Sequence, residues 1–235
     1  EFSNIKSEPG RDTRTQAVQQ FLPDPDPQTI YPDSDGQPMA DNTRQFRWIV
    51  TIKENLELLF ADCAEVFVAG DLLWYPVEGN PLICQAPDVM VVIGCAKGDR
   101  GSYQQWKENN QPPQVVFEIL SPGNRLKEMT KKFKFYDRYG VEEYYIYDPD
   151  RLDLVGWWRS NGEFDVIEDI NGWVSPRLGI KFELPSNGLT LYQPSGDRFL
   201  TFVELAQQQQ QTQQQLSDAE ALLARYRQQF GNLSD

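Results

Sequence analysis

Residues 114–124, QVVFEILSPGN, constrain the fold more than any other stretch. Val115, Val116, Phe117, Ile119 and Leu120 are strand formers, and Ser121-Pro122-Gly123-Asn124 is turn chemistry. Glu118 sits among those five apolar residues. A carboxylate buried there costs several kcal/mol unless it is paired, protonated or bound to a metal. A helix of about 124–138 follows, with Leu126, Met129, Phe133 and Tyr136 as its buried stripe and Gly140 as its stop. EEYYIYD then reads as the next strand. The fold must seat that helix between two strands and give Glu118 a partner.

Upstream, Asp41 or Asn42 offers an N-cap for a helix of roughly 43–60, with Phe46, Ile49, Ile52, Leu56, Leu59 and Phe60 at helical spacing. Strands are expected over Glu65–Tyr75, over Asp88–Ile93 after Ala86-Pro87, and over Val115–Leu120. The core order is therefore helix, strand, strand, strand, helix, strand. The loop GCAKGDRGSYQQWKENNQPP is long enough to be functional. LDLVGWW, EFDVIEDI and KFEL predict a β-rich extension.

Residues 1–40 are polar and proline-punctuated, an extended arm ahead of a domain at 41–198. From 199 to 235 the pattern changes to a helical, Gln-rich tail. Phe202, Gln209, Leu216, Leu223 and Phe230 share one heptad position, and Leu205, Thr212, Ala219 and Tyr226 the other. A self-associating, coiled-coil-like helix and a solvent-exposed one are both consistent with that spacing.

There is no histidine. That excludes a Ser-His-Asp triad, a Cys-His pair and any His-ligated metal. Carboxylates without histidine suit the hard cations Mg²⁺, Mn²⁺ and Ca²⁺. Cys63, Cys84 and Cys95 are odd in number and lack a C-x-x-C, which points to a reducing compartment. No apolar run approaches the ~18 residues of a membrane span, and no signal-type segment opens the chain. The expectation is a cytoplasmic protein without membrane contact.

The net charge of −13 counts against broad nucleic-acid affinity. Its distribution is uneven, however. Arg125, Lys127, Lys131, Lys132, Lys134 and Arg138 face only Glu128 and Asp137 between positions 125 and 138. Such a segment serves either as a phosphate-facing patch or as a solvated helix face.

Two carboxylates stand out on the core elements: Asp88, which opens the second strand, and Glu118, inside the third. Adjacent strands can bring them to one point, where they repel unless a cation lies between them. On the following helix Glu128 and Lys132 share a face, and Lys132 adjoins the Met129–Phe133 stripe. A lysine tucked there reaches the same point with its ammonium. A structural ion pair from Glu118 to Lys132 or Arg125 is the competing account of that charge. Lys131 is the neighbouring rival to Lys132, turned about 100° around the helix, and Glu54 or Glu57 on the first helix is a further candidate acid.

The arrangement resembles the PD-(D/E)xK superfamily, the restriction-endonuclease-like fold with an αβββαβ core. Pro87-Asp88 matches the "PD" and Glu118 the "(D/E)", whereas Leu120 stands where the lysine belongs. Some branches carry that lysine on the next helix, and Lys132 fits the variant. Three blocks, A-P-D-V, V-V-F-E-I-L-S-P and K-x-x-x-Y-x-x-x-G-V-E-E-Y-Y-x-x-D-P, resemble an endonuclease family abundant in cyanobacteria, over about 40–195. Many of its members carry a histidine in the first helix region, which this chain lacks.

The resemblance implies an α/β (α+β) fold with extra β-strands and a C-terminal coiled-coil-like helix. It implies an endonuclease that cuts DNA with Mg²⁺ (or Mn²⁺), and a homodimer. Asp88, Glu118 and the backbone carbonyl of Ile119 would hold the metal, Lys132 would be the catalytic lysine, and Glu128 would support them. Arg125, Lys127, Lys131 and Lys134 would meet the phosphate backbone. The rival is a catalytically degenerate nuclease fold acting as a binding or assembly module, favoured by the charge of −13 and by Leu120.

Overall fold

The computed structural model describes residues 29–36 and 38–231. Most of the expected arm, residues 1–28, lies outside the described residues. The chain divides into two compact units, Glu1–Arg198 and Phe199–Asp235.

Helix α1 spans Thr43–Leu59. It starts at the cap the sequence offers: the Asn42 side-chain oxygen accepts from the N–H of Arg44 at 3.0 Å and of Gln45 at 2.9 Å. Ile49, Ile52 and Leu56 are buried as expected, but Phe46 is exposed and Gln45 is turned inward instead. Gln45 stands four residues before Ile49, on the same stripe, so the helix presents a polar side chain to the core end of the sheet.

Strand β1 (Val66–Gly70) ends where Asp71 turns left-handed, with φ of 49°. The chain resumes as β2 (Trp74–Tyr75). The single strand expected over 65–75 is therefore two, because a left-handed residue cannot continue a pleat. Next come β3 (Val89–Ile93), β4 (Tyr103–Gln104), a short 3₁₀ turn (Gln105–Lys107) and β5 (Val115–Ile119). The long loop is largely built in: Tyr103 and Gln105 are buried, and the Trp74 indole donates to Gln105 Oε1 at 2.9 Å.

Helix α2 (Leu126–Arg138) joins β5 to β6 (Glu143–Asp148). It begins later than the expected 124, since Asn124 Oδ1 is held by the Ser121 N–H in the turn. The turn is tight: a Cβ at Gly123 would lie 2.9 Å from the Asp41 carboxylate, which would have to swing aside. Gly140, at φ of 89°, lets the chain leave the helix. Met129 and Phe133 are partly buried and Tyr136 fully, but Leu126 is 85% exposed. Helical spacing identifies a face, not how far the sheet beneath it extends.

The main sheet has the order β1-β3-β5-β6-β7-β8, with β7 at Asp153–Ser160 and β8 at Glu163–Val166. All neighbours are antiparallel except β5 and β6, which run parallel as a helical crossover demands. The αβββαβ order is thus α1, β1, β3, β5, α2, β6. Strands β9 (Lys181–Glu183) and β10 (Thr190–Tyr192) form a separate ribbon. Glu143, buried at the head of β6, accepts from the Ser175 and Tyr145 hydroxyls and the Arg177 N–H, which ties the extension to the core.

One face of the sheet carries Phe67, Ala69, Met90, Val92, Val116 and Tyr144, packed in one cluster with Tyr136 and Tyr139. The alternation of β-strands places Glu118, two residues beyond Val116, and Asp88, two before Met90, on this same face.

The second unit is helix α3, Phe202–Phe230. Thr201 and Glu204 form a reciprocal capping box. Phe202, Leu205, Leu216, Leu223 and Tyr226, named above by heptad position, are all exposed. Among the described residues no helix is long and apolar enough to cross a membrane, and Cys63, Cys84 and Cys95 are free thiols.

Candidate active site

Sheet register brings the two predicted carboxylates together. Val89 on β3 pairs with Phe117 on β5, so the next position along each strand is Asp88 beside Glu118. The Asp88 carboxylate reaches across and accepts the Ile119 N–H at 2.6 Å. Asp88 and Glu118 are 8% and 2% exposed, so neither charge is relieved by solvent.

Glu118 is partnered from α2. Lys132 Nζ donates to Oε2 at 2.7 Å, and the Tyr136 hydroxyl donates to Oε1 at 2.6 Å. Residues 132 and 136 are one helical turn apart, so both point to the same spot of the sheet. The ion pair to Lys132 is therefore formed, and Arg125, the other candidate partner, is exposed. Burial works against the Lys132 charge, but the Glu118 and Asp88 carboxylates outweigh it and hold the ammonium above its ordinary value. Burial, followed by the Glu118 charge, pushes the Tyr136 phenol well above its ordinary range. Both groups consequently stand as donors to Glu118.

The other predicted residues are placed differently. Ile119 is buried, and its carbonyl accepts from Gln45 Nε2 at 2.8 Å. A carbonyl oxygen has two lone pairs, so Gln45 occupies one of them. Glu128 is exposed and makes no ion pair with Lys132 among the described residues, though its charge favours the ammonium. Glu54 and Glu57 bind Lys53 on α1, at 3.1 and 2.8 Å. Arg125, Lys127, Lys131 and Lys134 are all exposed. At about 100° per residue, Lys127, Lys131, Lys134 and Arg138 fall within a stripe roughly 60° wide, turned about 130° from Lys132.

Three residues at the site escaped sequence reasoning. Tyr136 was expected as core; its ring is, but its hydroxyl is spent on Glu118. Gln45 was not among the residues singled out on α1 and is 6% exposed. Asp71, at the end of β1, follows Gly70, whose partner is Val89 next to Asp88. A polar residue on an otherwise apolar stripe was the available signal for Gln45, and none existed for Asp71.

The chemistry of this set fits a hard divalent ion. Two buried carboxylates meet, and the Tyr144 hydroxyl beside them is buried with no hydrogen-bond partner among the described residues. Such an orphan calls for a polar partner at this point. Among the described residues no three Asp, Glu or Cys side chains are spaced as a ready-made metal cage. Mg²⁺ does not need one, since it binds through one or two carboxylates and keeps several waters.

The Asp88 carboxyl lies well above its ordinary value of 3.8, first because of burial and then because of the Glu118 charge; Lys132 and the Ile119 N–H pull the other way. The folded chain thus holds this proton more tightly than the unfolded one. Its contribution to stability is full below pH 3.8 and is lost as pH rises through the folded value. Asp88→Asn keeps an acceptor for the Ile119 N–H and cannot ionise. In metal-free buffer its urea midpoint should match the parent at acid pH and exceed it at neutral pH. A parent as stable as the variant at neutral pH would contradict this account.

The profile of the Uma2 family, described as "Putative restriction endonuclease", matches residues 19–184. Comparison with curated proteins finds no match. Among the solved structures that match is one from Anabaena variabilis ATCC 29413, described as a putative nuclease belonging to DUF820. It is 16% identical, covers 61% of this chain and 78% of its own, and has a TM-score of 0.44.

Proposed function

The chain belongs to the Uma2 family, and on that premise we propose that it is an endonuclease hydrolysing DNA phosphodiester bonds with Mg²⁺ or Mn²⁺ held at Asp88 and Glu118. The observation that carries the reading is the buried Glu118, placed beside Asp88 and held by an ammonium and a phenol from one face of α2. Asp88, Glu118 and the Ile119 carbonyl are the ligands this chain offers. The ion, when bound, polarises the phosphate and lowers the pKa of a coordinated water.

The residues divide the remaining work. Asp88 is fixed by the Ile119 N–H, so its carboxylate is pre-oriented. Lys132, as an ammonium, donates; that favours orienting the attacking water or stabilising charge on the phosphate over removing a proton. Tyr136 holds the second oxygen of Glu118 and limits its rotation. Leu120 stands where an E-x-K lysine would be, which favours a non-catalytic binding module. Against it, Lys132 supplies an ammonium at 2.7 Å from Glu118 along another route.

Purified protein is expected to nick plasmid DNA with Mg²⁺ or Mn²⁺ and not in EDTA. No cleavage of any DNA form, together with no Mn²⁺ binding, would favour the binding module instead.

The exposed stripe of α2 supports contact with phosphates. Because it faces away from Lys132, it would hold duplex flanking the cut rather than the scissile bond. Lys127→Gln, Lys131→Gln and Lys134→Gln together should weaken DNA binding in Ca²⁺ by about tenfold or more and flatten its salt dependence, each lost phosphate contact removing about 0.9 from the slope. Unchanged affinity and slope would make the stripe a solvated face. The exposed apolar heptad positions of α3 support pairing of two such helices in a homodimer.

A further inference from the structure

We propose that Asp71 is a third carboxylate of the Asp88–Glu118 site, a positioning residue that holds the water of a bound divalent cation. This rests on the metal-dependent reading above and extends it to a residue outside the PD-(D/E)xK pattern.

Register is the first argument. Gly70 on β1 pairs with Val89 on β3, and Val89 pairs with Phe117 on β5. One step further along the same row stand Asp71, Asp88 and Glu118. Asp88 is two residues before Met90 and Glu118 two beyond Val116, so both follow the face that packs under α2. Asp71 lies one residue past the end of β1, where the pleat has stopped, and is close enough to feel the charges of Lys132 and Glu118. The Asp71 N–H is fastened to this point, donating to the carbonyls of Pro87 at 3.1 Å and Asp88 at 3.3 Å.

Conformation is the second argument. Asp71 sits at φ of 49°, where a glycine would be relaxed. The position carries a carboxylate instead, half-buried and without a hydrogen bond or ion pair among the described residues. Its carboxyl is pushed up by burial first and then by Asp35, with Glu118 adding to the push and Lys132 opposing it. The side chain thus shares the electrostatic environment of the site.

Charge is the third. Asp71, Asp88 and Glu118 together face one ammonium, Lys132. Fully ionised they leave two negative charges uncompensated, the complement of a single divalent ion. Without Asp71 the pocket would carry only one. The spacing of these side chains is not that of a three-carboxylate cage, so Asp71 is assigned to bound water rather than to the ion itself. Residues in that position change metal affinity by about 10–100-fold.

The test is Mn²⁺ binding by titration calorimetry to the full chain, beside urea unfolding in metal-free buffer. Asparagine tolerates the left-handed region, so Asp71→Asn removes the charge and keeps the turn. The expected result is Mn²⁺ affinity about 10–100-fold below the parent, with an unfolding midpoint unchanged or raised. Parent-like affinity in Asp71→Asn, with affinity lost in Asp88→Asn, overturns the inference and leaves the metal site standing. A lowered midpoint in Asp71→Asn assigns the residue to the turn and overturns it as well. A parent chain that binds no Mn²⁺ overturns both readings, which separates the two failures.

Discussion

Glu118→Gln is expected to stop Mg²⁺- or Mn²⁺-dependent DNA cleavage, with a loss of at least about 10³-fold, or roughly 4 kcal/mol of transition-state stabilisation. Glutamine keeps the shape of the side chain and can still accept from Lys132 or exchange a hydrogen bond with Tyr136. It lacks the charge a divalent cation requires. The substitution is therefore a cleaner probe than Glu118→Ala, which would strand the buried Lys132 ammonium and destabilise the domain by about 3–5 kcal/mol. Asp88→Asn should fail in the same assay while remaining folded. Plasmid nicking at fixed Mn²⁺, with circular dichroism as the control for folding, gives the answer. Cleavage at the parent rate in either variant would remove that carboxylate from the mechanism.

Lys132→Ala should lower the stability of the metal-free protein by about 3–5 kcal/mol in urea unfolding, because it takes the ammonium from a carboxyl group that is 2% exposed and is then held only by Tyr136. The neighbouring Lys131→Ala should cost almost nothing, since Lys131 is exposed. The double variant Glu118→Gln/Lys132→Met should recover most of the loss, as an uncharged pair needs no compensation. It should also be inactive. Stability and activity then part company: the uncharged pair restores most of the fold's stability and none of the cleavage. A Lys132→Ala variant as stable as the parent would show that the Lys132–Glu118 pair does not hold the fold.

Much of this molecule was legible before any tertiary information. Asn42 caps α1 because a short side-chain oxygen before an apolar-periodic run satisfies free N–H groups locally. Lys132 sits on the Tyr136 face of α2 because 3.6 residues per turn requires it. Glu118 demanded a partner because an ionised carboxylate within VVFEIL cannot be left bare. Each of these follows from residues within about a helical turn of one another.

The less legible features depend on contacts between distant segments. The expected strand over 65–75 breaks at Asp71 because its N–H bonds to carbonyls at Pro87 and Asp88, a pairing no local pattern encodes. Leu126 fits the buried stripe of α2 by spacing yet is exposed. The cations of α2 looked like one patch with Lys132; the helix turns them to the opposite side.

The sequence by itself thus determined the principal helices and strands of the core, their order, and the need for a charge partner at Glu118, because periodicity, capping and desolvation are local. Only the tertiary structure decided which groups meet: Asp88 beside Glu118 across β3 and β5, the Asp71 N–H on the carbonyls of Pro87 and Asp88, Gln45 on the Ile119 carbonyl, and Tyr136 on the second oxygen of Glu118. Convergence of that kind is set by strand register, where a slip of one residue sends every side chain to the other face.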